Sequence, residues 1–117
     1  MAASILIVDD EPNIRRMLGA LLRHEGYSTT EAACGHDARE HMQEAEADVV
    51  LLDLALPDVK GLELLQSIHT RWPLAPIIMM SGRASLADAV QATKLGAFHF
   101  IEKPLTPEAV LLTIRGA

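Results

Sequence analysis

The chain has 117 residues, half of them apolar and 22% charged, which suits one globular domain with one core. Ten basic against sixteen acidic residues give a net charge of −6, which argues against a nucleic-acid binder, whose footprint is a basic patch or stripe. Cys34 is alone, so no internal disulfide can form; no apolar run nears the roughly 18 residues of a membrane span, and Met1-Ala2-Ala3-Ser4 carries no signal peptide, so the expected compartment is the cytoplasm.

Apolar runs alternate with helical patterns along the chain. Ile5–Val8 reads as a strand that runs straight into Asp9-Asp10-Glu11. A helix follows from Glu11-Pro12, with Ile14, Met17, Leu18, Leu21 and Leu22 on one face and Gly26 as its stop. Tyr27–Ala32 is a second strand, and a weaker helical pattern covers 37–45. Val49–Leu52 is a third strand, followed by a helix carrying Leu62, Leu65, Ile68 and Trp72 and ending before Pro73. Ile77–Met80 is a fourth strand, and Ser85–Leu95 an alanine-rich helix ending at Gly96. Phe98–Ile101 is the fifth strand, and Thr106-Pro107-Glu108 opens the last helix with a cap, a proline and an acid.

Strict strand–helix alternation predicts an α/β fold, a doubly wound five-stranded parallel sheet of flavodoxin-like (βα)5 type. The first, third and fourth strands are continuously apolar and should be central. The second, with Ser28, Thr29, Thr30 and Glu31, reads as an edge, and the fifth, with His99, as the other. Right-handed crossovers then favour the order 2-1-3-4-5. The whole of 1–117 reads as one domain, and its short final helix suits the N-terminal part of a longer protein.

Ligands of such sheets bind beyond the carboxyl ends of the strands. Those ends carry Asp9-Asp10-Glu11, Asp53, Ser81-Gly82 and Glu102-Lys103-Pro104. Two like charges about 4 Å apart repel by about 4 kcal/mol at an effective dielectric near 20, so stability alone gives no reason for this crowding. Magnesium, which takes oxygen ligands and tolerates one or two carboxylates, would relieve it, with Asp10 and Asp53 as ligands and Asp9 close behind. A carboxylate can also act as nucleophile and become an aspartyl-phosphate. Ser81 and Lys103 would then hold the oxygens of the transferred group.

In this ordered set the chain resembles the receiver domain of two-component response regulators, over its whole length. Asp9-Asp10, Asp53 in LLDLALPDVKGLELL, Ser81 in IIMMSGRA and Lys103 in GAFHFIEKPL match the family motif in order, with Pro57 and Gly61 in its turn. The last segment looks most like receivers of sigma54-dependent, NtrC-like activators. The resemblance implies a phosphorylation-controlled switch that is not a turnover enzyme. Asp53 would be its phosphoacceptor, fed by a sensor histidine kinase. Magnesium would be held by Asp9, Asp10, Asp53 and the Ala55 carbonyl. Ser81 and Phe100 would be the switch residues, and Lys103-Pro104 a cis bond. It also implies a transcriptional output domain beyond residue 117. Lys60 departs from the pattern, since an acid is frequent there. Ala55 and Arg83 occupy positions that tune phosphoryl lifetime in the family.

The fourth helix is shallow, through Ala87, Ala89 and Ala92, and apolar, through Leu86, Val90 and Leu95. A self-association or output surface is therefore expected on the fourth helix, fifth strand and fifth helix. Direct nucleic-acid binding and membrane association are not expected. A haloacid-dehalogenase-like phosphatase also uses an aspartate nucleophile, but it wants a second acid where this chain has Ala55. A nucleotide- or flavin-binding module would want a glycine-rich loop after the first strand, where the acids stand. Phe100 reads equally as core packing, Met79-Met80 as core, and Cys34 as an inert small residue. His24, His36, His41, His69 and His99 read as surface residues.

Overall fold

A computed structural model describes residues 3–83 and 86–117. Five strands, β1 (Ser4–Val8), β2 (Ser28–Ala32), β3 (Val49–Asp53), β4 (Ile77–Ser81) and β5 (His99–Glu102), alternate with five helices. These are α1 (Pro12–His24), α2 (Gly35–Glu44), α3 (Gly61–Arg71), α4 (Leu86–Lys94) and α5 (Pro107–Arg115). All neighbouring strands pair parallel, in the order β2-β1-β3-β4-β5 that the polarity pattern predicts.

Successive strand residues point to opposite faces, so the sheet builds two cores. Leu6, Val8, Val50, Leu52, Ile77 and Met79 pack with α2, α3 and α4. Ile5, Ile7, Leu51, Ile78, Met80 and Ile101 pack with α1 and α5. Both faces being covered is why the central strands are apolar without alternation. Gly26 and Gly96 follow α1 and α4 at φ +92° and +106°, the left-handed region that ends helices cheaply only with glycine.

Local chemistry moves some boundaries. Tyr27 and Phe98 fall just outside their strands. α2 starts at Gly35, two residues before the hydropathy pattern begins. The Cys34 Sγ accepts from Asp37 N–H at 3.5 Å, so this small residue also caps the helix. The predicted start of the fourth helix at Ser85, with Ala84 before it, lies outside the described residues. His24, His36 and His99 are exposed, and His36 Nε2 faces Glu40 at 2.6 Å. His69 departs from the surface expectation. It is half-buried against Gly96, where a Cβ would come within 2.6 Å of its ring, and its Nδ1 is buried without a hydrogen-bond partner. Met79 and Met80 are core, as expected.

Candidate functional site

The carboxyl ends of β1, β3, β4 and β5 meet at one rim. β1 delivers Asp9, fully buried, and Asp10, exposed. β3 ends on buried Asp53 and β4 on buried Ser81. Beyond β5 the cis Lys103-Pro104 bond precedes α5. The rim is the mouth of a cleft of about 300 Å³ whose lining includes Asp10, Asp53, Ala55, Ser81 and Lys103.

Lys103 reaches into the acids. Its Nζ lies 3.2 Å from Asp53 Oδ2, 3.0 Å from Asp9 Oδ2 and 3.6 Å from Glu11 Oε1. Asp53 Oδ1 accepts from Ala55 N–H at 3.2 Å, and Asp9 Oδ1 from Glu11 N–H at 2.9 Å. The Ser81 hydroxyl oxygen accepts from Arg83 N–H at 3.1 Å. Burial pushes the Asp53 carboxyl above its ordinary range and the Asp9 charge adds to this, against the Ala55 N–H and Lys103. For Lys103, burial works downward, yet Asp9 and Asp53 outweigh it and the ammonium is raised. The net result is a cation locked among acids.

Asp9, Asp10 and Asp53 each present a carboxylate oxygen within 4.8 Å of one another. Asp9 Oδ2 is buried, with the Lys103 ammonium 3.0 Å away as its charged neighbour. Three carboxylates gathered this closely, with one ammonium among them, make an all-oxygen set that suits a hard divalent cation, so the donors fit magnesium.

The structure thus brings together Asp9, Asp10, Asp53, Ala55, Ser81 and Lys103. Phe100 stands apart from the rim: it pairs with Met79 in register and packs, half-buried, on the core under α3 and α4. Lys60 is exposed and pairs antiparallel with Ala55 across the β3–α3 loop. Sequence reasoning misses two contributors. Arg15 Nη1 donates to the Asp9 carbonyl at 2.6 Å, one turn beyond Glu11 in α1, a spacing that could have pointed to it. Asp58 accepts from Gly35 N–H and His36 N–H, partners 23 and 22 residues away that no local pattern reveals.

The profile of the response regulator receiver domain matches residues 5–115. An NtrX-like response regulator of Rickettsia bellii is 36% identical over 115 residues, covering 97% of this chain and 24% of its own length. The transcriptional regulatory protein KdpE of Mycobacterium tuberculosis is 38% identical over 113 residues, covering 97% of this chain and 50% of its own length. The chain therefore spans a quarter to a half of these relatives. A response regulator of Burkholderia pseudomallei, solved with a phosphorylated aspartic acid, a calcium ion and citrate, superposes with a TM-score of 0.90 at 30% identity. That alignment covers 95% of this chain and 65% of the Burkholderia chain.

Proposed function

The chain belongs to the response regulator receiver domain family of two-component signalling, and on that premise we propose that Asp53 is its phosphoacceptor. The family consists of signalling switches rather than turnover enzymes. In the proposed transfer, an Asp53 carboxylate oxygen attacks the phosphorus of a phosphohistidine on a sensor histidine kinase. The P–N bond breaks, its electron pair stays on the imidazole, and an aspartyl-phosphate forms on Asp53. Lys103, 3.2 Å from the carboxylate, remains beside the new phosphoryl oxygens and balances their charge. The Ser81 hydroxyl, at the end of the neighbouring strand, donates to another of those oxygens. Asp9, Asp10, Asp53 and the Ala55 carbonyl would hold a magnesium ion, which when bound supplies the positive charge that the crowded acids require.

One observation carries this reading: two buried carboxylates share a lysine ammonium at the mouth of a cleft that also holds a serine. The phosphatase alternative lacks the second acid, since residue 55 is alanine.

A phosphoryl group adds roughly −1.5 to −2 charge and strong acceptors beside Ser81. Ser81 turning toward it draws the loop after β4 inward, and Phe100 rotates into the space left behind. The output is the face of α4, β5 and α5, where Leu86 is 82%, Phe98 49% and Leu112 72% exposed. This face would contact a second copy or an output domain beyond residue 117, transcriptional as in the longer relatives, with no DNA contact by residues 1–117 themselves. No helix among the described residues is long and apolar enough to cross a membrane.

Intact-mass measurement after incubation with acetyl phosphate and magnesium tests the acceptor. Wild type should gain one phosphoryl group and Asp53→Asn none. Equal gain in both would refute the assignment.

A further inference from the structure

We propose that Asp58 is a positioning residue for the site: it staples the β3–α3 loop to the N-terminus of α2 and thereby holds Ala55 in place against Asp53. The inference rests on the reading of Asp53 and its acidic neighbours given above, and it concerns a residue outside that set. The loop leaves β3 directly after Asp53 and carries Ala55, whose N–H donates to Asp53 Oδ1 and whose carbonyl is the assigned metal ligand. Its neck is closed by backbone bonds, Gly61 N–H to the Leu54 carbonyl at 3.0 Å and Leu54 N–H to the Met80 carbonyl at 2.9 Å. Its tip, Pro57-Asp58-Val59, belongs to no strand or helix. There the two oxygens of Asp58 divide two amides between them. Oδ1 accepts from Gly35 N–H at 2.8 Å and Oδ2 from His36 N–H at 2.9 Å.

The first N–H groups of a helix have no partner within it, and the helix dipole favours a negative charge there. Charge-assisted bonds of this kind are short and strong. They hold the Asp58 carboxyl below its ordinary range, with Gly35 as the larger cause. Packing reinforces the staple. A Cβ on Gly35 would collide with Val59 Cγ1, so the absence of a side chain there lets the loop tip seat directly on the helix. α2 already has a local cap in Cys34, which takes the Asp37 N–H. The added partner therefore comes from the one loop that leads back to Asp53. With the tip anchored and the neck closed, Ala55 has little freedom to leave Asp53; with the tip released, the neck and the Ala55–Lys60 pairing still restrain it, but nothing holds the loop against α2.

Magnesium titration of the 117-residue chain, followed by amide NMR, tests this together with hydrogen exchange at Gly35 and His36. Asp58→Ala should speed exchange at both amides, shift the Ala55 resonance and raise the magnesium Kd by about tenfold, as loss of an orienting outer partner typically does. Asp58→Asn, which keeps one carbonyl acceptor, should fall between wild type and Asp58→Ala, and it carries the test alone if the alanine variant does not fold. Faster exchange with an unchanged Kd and Ala55 resonance would make Asp58 a helix cap only and overturn the proposal. Unchanged exchange would overturn it as well. A wild type that binds no magnesium would instead defeat the reading of the site itself, taking the inference with it.

Discussion

α3 and α4 cover the same face of the sheet, yet α3 buries Leu64, Leu65 and Ile68, while α4 buries only Ala92 among its described residues. The strands beside them differ in the same sense. β3 is buried along its whole length, whereas β5 buries only Ile101 and leaves His99 and Glu102 exposed. Hydrophobic stabilisation scales with the apolar area removed from water, about 25 cal/mol per Å², so the α4–β5 margin is held far less firmly than the β3–α3 centre. Weakly held elements are the ones that open and move at low cost. Asp53 sits on the firm side, and Ser81 and Lys103, at the ends of β4 and β5, lie where the two regimes meet. On the proposed reading of Asp53, a rigid acceptor beside a yielding margin is the arrangement a charge-driven switch needs.

Paired truncations test the contrast most strongly. Leu65→Ala in α3 should cost about 3 kcal/mol in urea unfolding, a core deletion with its cavity. Leu86→Ala in α4, 82% exposed, should stay within about 0.5 kcal/mol of wild type. Similar costs at the two positions would erase the distinction.

A smaller effect reports the crowding at the rim. The folded-state pKa of Asp53 lies above its unfolded value, through burial and then the Asp9 charge. Ionised Asp53 therefore destabilises the fold at pH above the folded value, and that cost disappears as pH falls through the unfolded carboxylate range. Asp53→Asn should accordingly raise Tm at neutral pH by a few degrees, on the order of 1 kcal/mol, and the gain should vanish in acid. A variant less stable than wild type at neutral pH would contradict this sign.

The finest test separates acceptance from readout. Ser81→Ala should leave Asp53 able to take phosphate while weakening the response of α4 and β5, at a coupling loss of about 1 kcal/mol. Full response without the hydroxyl would remove Ser81 from the path.

Much of this design is legible in the sequence, for physical reasons. Strands buried on both faces read as unbroken apolar runs, so β1, β3 and β4 declare themselves central, and Ser28–Glu31 declares an edge. The rim residues are legible because the topology delivers Asp9, Asp53, Ser81 and Lys103 to strand ends, where clustered charge is costly without a partner. What stays hidden depends on contacts distant in sequence. The first amides of α2, Gly35 and His36, find their acceptor in Asp58 from 23 and 22 residues away, and His69 is half-buried against Gly96 beyond the end of α4. Nothing local marks either residue as more than a surface group.

Amide spectra of the wild-type chain with and without beryllofluoride and magnesium test the central claim most directly. Occupation of Asp53 should shift the rim resonances and also those of residues 86–101, through α4 and into β5, while the interior of β1 and β3 stays in place. Shifts confined to the Asp53 cleft, with residues 86–101 unmoved, would contradict the account.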